Sequence, residues 1–124
     1  MATFQRFEDI EAWQSGRALT RAIYAASRRG AFGRDDALRN QMRRAAISIT
    51  SNIAEGFERS SDRAFAHFLS VAKGSAGEVR SQLYVALDEG YLSEAEFEHI
   101  YGLALSTIKR ISRLMTYLRR STNE

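Results

Sequence analysis

With 124 residues, 44% of them apolar, the chain has the size and composition of one folded domain that buries its core without staples. It has no cysteine, which excludes disulfides and thiolate metal sites, and no apolar run reaches the roughly 18 residues that a membrane-spanning helix needs. The net charge is only +3, yet the cations are sixteen Arg against two Lys. That imbalance reads either as genomic base composition or as a supply of planar groups that fork onto phosphate and carboxylate.

Residues 1–10 lack the basic-then-apolar order of a signal peptide, so a cytoplasmic location is expected. Proline is absent, which removes the strongest helix breaker and favours long helices. Four are predicted, over residues 7–29, 35–58, 61–89 and 93–120. The first has Glu8, Asp9 and Glu11 in its opening turns and Arg28 and Arg29 in its last, which suits the helix dipole. Gly30 and Gly33 flank a short connection, after which Asp35 or Asp36 caps the second helix. Ser60 or Ser61 caps the third, which stops at Gly90. Ser93 and Glu96 form a capping box for the fourth, and residues 121–124 are expected to fray.

Apolar spacing gives each helix a seam of alternating three- and four-residue steps. The seams are Ala12, Gly16, Leu19, Ile23 and Ala26; Leu38, Met42, Ala45, Ile49 and Ile53; Phe65, Leu69, Ala72, Ala76, Val79, Leu83 and Ala86; and Phe97, Tyr101, Ala104, Ile108, Ile111, Met115 and Leu118. Short loops force neighbours to run antiparallel, so the fold class is all-α, an up-down-up-down four-helix bundle in a single domain over residues 1–124. Further apolar residues lie off the seams: Phe68, Val71, Tyr84 and Val85 on the third helix, and Leu103, Leu105, Leu114 and Tyr117 on the fourth. A second apolar stripe calls for a second burial, and the expected cover is another copy of the chain. Gly74 and Gly77, inside the third helix, predict close approach of a neighbouring helix, with a ligand contact as the alternative.

Catalytic and metal patterns are thin. A di-iron bundle needs two Glu-x-x-His motifs. Glu96 and His99 supply one, but His67 is preceded at that spacing by Ala64. No serine sits in a nucleophile elbow. Asn52 and Glu55 read as a structural tie between helices. No enzyme activity, metal or cofactor is expected.

The cations are segregated. Residues 12–34 hold five Arg and no acid, residues 37–54 three Arg and no acid, and residues 99–123 four Arg, one Lys and no acid. In an antiparallel bundle Arg28, Arg29, Arg34, Arg39, Arg43 and Arg44 gather at one end, while Lys109, Arg110, Arg113, Arg119 and Arg120 run toward the other. Such clusters attract nucleic-acid backbones. The competing reading is a solvated face partly neutralised by acids of adjacent helices.

Residues 47–57 read ISITSNIAEGF and residues 59–77 read RSSDRAFAHFLSVAKGSAG, with Glu78 next. Phe7-Glu8-Asp9 and Ala12-Trp13 stand near the start, and Leu87-Asp88-Glu89-Gly90-Tyr91-Leu92 closes the third helix. This resembles the four-helix bundle proteins encoded in intervening sequences of bacterial 23S rRNA genes, once labelled ribosomal proteins. Asn52, Ile53, Ala54, Glu55 and Gly56 match the family pattern, as do Phe68, Leu69, Ala72, Gly74, Ser75 and Glu78. Many members have a proline before the Asn, where this chain has Ser51. The resemblance covers nearly the whole chain and implies a homopentameric ring. It also points to the accessory variability protein of diversity-generating retroelements, a basic pentamer that binds nucleic acid and partners a reverse transcriptase. It brings no catalytic residues and does not imply ribosome membership. It implies that Asn52 and Glu55 bond across helices and that Gly56 and Gly74 permit close packing.

The expected function is a cytoplasmic homo-oligomer that binds RNA or DNA without sequence preference through Arg39, Arg43, Arg44, Lys109, Arg110, Arg113, Arg119 and Arg120. The alternative is a protein–protein scaffold or accessory subunit.

Overall fold

Side-chain caps set the starts of the three longest helices in the computed structural model, which describes residues 4–123 and side chains as far as residue 120. The elements are a 3-10 turn Phe7–Asp9, α1 Glu11–Ala26, α2 Gly30–Arg34, α3 Asp36–Glu58, α4 Asp62–Asp88 and α5 Glu94–Asn123. Of the paired candidates, Asp35 caps α3 by accepting from the Leu38 N–H at 3.1 Å, and Ser61 caps α4 by accepting from Ala64 at 3.1 Å. The capping box at α5 is reciprocal: the Glu96 N–H donates to Ser93 Oγ at 3.1 Å and the Ser93 N–H to Glu96 Oε1 at 3.0 Å.

Three boundaries differ from expectation. The first helix does not run from residue 7 to residue 29. Ile10 is extended between the 3-10 turn and α1, and α1 stops at Ala26. The connection that follows is itself helical: α2 carries Phe32, 2% exposed, into the end of the bundle, where its ring stacks on Tyr91 at 5.2 Å. Gly33 is required there, because a Cβ would lie 2.6 Å from the Arg28 carbonyl oxygen. Finally, α5 continues to Asn123, so residues expected to fray are helical, and Glu124 lies outside the described residues.

The long helices form a closed square in which α1 packs on α3 and α5, α3 on α4, and α4 on α5. Every neighbouring pair is antiparallel. Ser15 bonds Thr107 across α1 and α5, while Arg29, just past α1, pairs with Glu96 at the start of α5. Ser48 meets Ser75 across α3 and α4, and Gly56 meets Phe65 and Phe68. Gly56 is a close approach, since an added Cβ would lie 2.8 Å from Phe68 Cβ.

All the seam residues read for α1, α3 and α4 are buried. The α5 seam is rotated from the one read. Ile100, Ala104, Thr107, Ile111, Leu114 and Leu118 face the core, while Phe97, Tyr101, Ile108 and Met115 pack half-buried beside it. Leu114, read as surplus, is therefore core. Thr107 takes an apolar position because its hydroxyl is satisfied twice, donating to the Leu103 carbonyl at 2.8 Å and sharing a 2.7 Å hydrogen bond with Ser15 Oγ.

Candidate nucleic-acid interface

The two basic clusters have different fates. Around α2 and the start of α3, two arginines are committed within the fold. The Arg39 side chain is only 23% exposed. It donates to the Gly33 carbonyl, closing α2 onto α3, and pairs with Asp36 at 3.0 Å. Arg43 donates to the buried Ser27 hydroxyl at 2.9 Å and lies over the Tyr24 ring at 4.4 Å. Arg29 pairs with Glu96 at 2.6 Å. Asp35, Asp36 and Glu96 thus interleave with the arginines at this end. Arg44, Arg28 and Arg34 are exposed, and Arg44 lines shallow polar grooves beside Gln41 and Asn40.

Two carboxyls at this end are held below the ordinary carboxylate range. For Asp35 the cause is the Leu38 backbone N–H first and the Tyr91 hydroxyl second. For Glu96 it is the backbone N–H of Ser93, followed by Arg29. Both hydrogen bonds favour the charged form.

The α5 cluster is more open. Lys109, Arg113, Arg119 and Arg120 are exposed, and none has an ion pair among the described residues. At 100° per residue, Lys109, Arg113 and Arg120 share a stripe opposite the buried seam, with Gly102, Ser106 and Thr116 completing it. Arg110 and Arg119 stand on the flanks. Arg110 is half-buried and leans toward Glu11 at 3.7 Å. Arg110 and Arg113 form a ridge between two grooves. One holds Gly102, Leu105, Ser106 and Lys109. The other, of about 490 Å³, is floored by Ile10 and Leu114 and walled by Phe4 and Tyr117.

The motif residues act only in part as the resemblance implied. Asn52 donates to the Ser48 carbonyl and hydroxyl on its own helix, reaching α4 only through the 2.9 Å Ser48–Ser75 contact. Glu55 pairs with Arg59 one turn on. Gly56 does permit close packing, but a Cβ at Gly74 or Gly77 would meet nothing within 4 Å. Those glycines flatten an outward strip of α4 on which Val71, Tyr84 and Val85 are 41%, 49% and 45% exposed.

Beside that strip, Arg80 donates to the Tyr101 hydroxyl at 2.9 Å, and Tyr84 and Phe97 pack on the same ring. The Arg80 bond lowers the Tyr101 pKa. Periodicity shows the aromatic residues but carries no signal for Arg80, which reaches Tyr101 from the facing helix.

Comparison with known proteins fixes the family. The model for the 23S rRNA-intervening sequence protein matches residues 8–113. The chain belongs to that family. No curated protein matches it. Among solved structures, it is similar to a protein of unknown function from the S23 ribosomal protein family of Bacteroides thetaiotaomicron VPI-5482. The TM-score is 0.78 at 18% identity, over 86% of this chain and 96% of that one, which shows a shared fold. The family match spans the Asn52–Gly56 segment and both glycines of α4 and ends at Arg113, in the middle of the α5 basic stripe. Among the described residues no three His, Asp or Glu side chains converge as a metal site, and no helix is long and apolar enough to cross a membrane.

Proposed function

We propose that this family member is a non-enzymatic, self-associating bundle that binds RNA or DNA through the C-terminal half of α5. The observation that carries the reading is the stripe itself. Over residues 99–123 there are five cations and no acid, and Lys109, Arg113 and Arg120 recur on the solvent face. Arg119 and Arg110 add charge around it, Arg44 stands on α3 in the cluster at the other end of the bundle, and Arg39 and Arg43 hold the fold and contribute little to binding. Nothing on this face is arranged to read base edges, so the binding is sequence-tolerant and sensitive to salt.

Self-association is the second part of the proposal. The α4 strip exposes Val71, Tyr84 and Val85 beside two glycines that add no side chain, which gives a second copy apolar area to cover. A closed ring of five would repeat the α5 stripe and raise avidity. The same strip supports the second reading, a scaffold or accessory subunit for a protein partner such as a reverse transcriptase.

Filter binding to a structured RNA across a salt series tests the first part. The expected result is affinity that falls steeply as salt rises. Absence of binding at low salt, or indifference to salt, overturns it. Light scattering at micromolar concentration tests the second, and a monomeric mass overturns it. A protein retained from nuclease-treated lysate in place of nucleic acid favours the accessory-subunit reading.

A further inference from the structure

A groove of about 490 Å³ lies between the start of α1 and the end half of α5, and its chemistry differs from that of a plain phosphate patch. Its floor is apolar, with Ile10 and Leu114 almost wholly buried. Phe4 is half-buried on one wall, and Tyr117 is 43% exposed on the other. Arg110 and Arg113 form its rim. A volume of about 490 Å³ falls in the range of small-ligand sites, roughly 300–1,000 Å³.

A groove that combines an aromatic wall with a cationic rim suits a planar π-system attached to an anion. The cations also continue past it: Lys109 lies beyond the ridge on the side of the neighbouring groove, and Arg120 lies further along the same stripe. Charge that extends beyond the groove complements a polyanion better than an isolated anion. In a duplex the base faces are stacked on one another, and only an unpaired base can offer a face to Tyr117.

We infer that this groove takes an unpaired base of single-stranded nucleic acid, stacked on Tyr117, with the adjoining phosphate held by Arg110 and Arg113. The inference rests on the nucleic-acid reading above and narrows it to single strands, loops and bulges. Glu11 also lines the groove, 3.7 Å from Arg110, and opposes a phosphate there. It attenuates binding without abolishing it.

The test uses the full chain and fluorescence anisotropy with three labelled RNAs of equal length: a single-stranded homopolymer, the same backbone with abasic sites, and a blunt duplex. The homopolymer is expected to bind about tenfold tighter than the abasic strand, the size of effect that base–aromatic stacking supplies. Tyr117→Ala is expected to remove that advantage and leave duplex binding unchanged, and Tyr117→Phe to keep it. Glu11→Gln is expected to tighten single-strand binding. Equal affinity of wild-type protein for the homopolymer and the abasic strand overturns the inference, whether or not the Tyr117 variants fold, and leaves the nucleic-acid reading standing. Failure of all three RNAs to bind at low salt overturns both.

Discussion

Replacing Gly56 with alanine tests the α3–α4 contact directly. A methyl group at this position would lie 2.8 Å from Phe68 Cβ, 2.9 Å from Phe65 Cδ1 and 3.2 Å from the Phe65 carbonyl oxygen. The Phe65 ring can tilt, but Phe68 Cβ is one bond from the backbone, so the helices must part by several tenths of an ångström to restore ordinary contact. Overpacking of this kind costs about 1–3 kcal/mol. Alanine is better than glycine inside a helix by about 0.5–1 kcal/mol, and Gly56 stands two residues from the end of α3, where that gain is smallest. The expected net loss is about 1–2 kcal/mol. Equilibrium urea unfolding should show a lower midpoint at unchanged slope. Gly77→Ala is the control. Its methyl meets nothing within 4 Å, so the bundle itself should gain about 0.5–1 kcal/mol. A Gly56→Ala protein as stable as the parent would refute the close approach and the packing drawn from it.

Three further outcomes are expected. The depressed pKa values of Asp35 and Glu96 mean that the unfolded chain binds protons more readily than the folded one. Their stabilisation is therefore complete above the ordinary carboxylate range, near pH 4, and lost as pH falls through the folded values. Urea midpoints measured from neutral pH downward should fall in that window, and less so in an Asp35→Asn, Glu96→Gln variant. Val71→Glu with Val85→Glu should reduce the mass seen by light scattering to that of a monomer while leaving the helical circular dichroism intact; an unchanged oligomer would exclude the α4 strip as the contact. Leu69→Ala removes a side chain with no exposed surface and should cost about 2–5 kcal/mol in urea unfolding.

The fold was legible where the apolar pattern was narrow. On α1 and α3 the small and polar residues leave a single arc that a core can bury, on α4 the three- and four-residue steps pick out the seam despite the apolar residues beside it, and all three seams coincide with the buried faces. On α5 apolar residues cover a much wider arc, so spacing alone could not choose between two adjacent seams. The true one runs through Thr107, whose hydroxyl disqualifies it on hydropathy but is satisfied by Leu103 and Ser15. The capping residues were legible because their chemistry is local. The α2 plug was not: glycines at 30 and 33 read as a loop, and the stacking of Phe32 on Tyr91 joins residues far apart in the chain. The same limit applies to the basic clusters. Their positions along the chain follow from counting, but whether a guanidinium is open or occupied depends on distant partners. Arg43 is held by Ser27 and Tyr24, and Arg39 by Gly33 and Asp36. The sequence treated these as equal to Lys109 and Arg113, and the folded chain separates them.

That separation allows a direct test of the α5 stripe. Two variants, Lys109→Gln/Arg113→Gln/Arg120→Gln and Arg39→Gln/Arg43→Gln, should be compared for RNA affinity across a salt series and for urea stability. The α5 variant should keep its stability, lose affinity at every salt concentration, and show a slope of log K against log salt shallower by about 2–3. The α3 variant should lose stability and, at a temperature where it is folded, retain the parental slope. A parental slope in the α5 variant would contradict the assignment of nucleic-acid binding to this face.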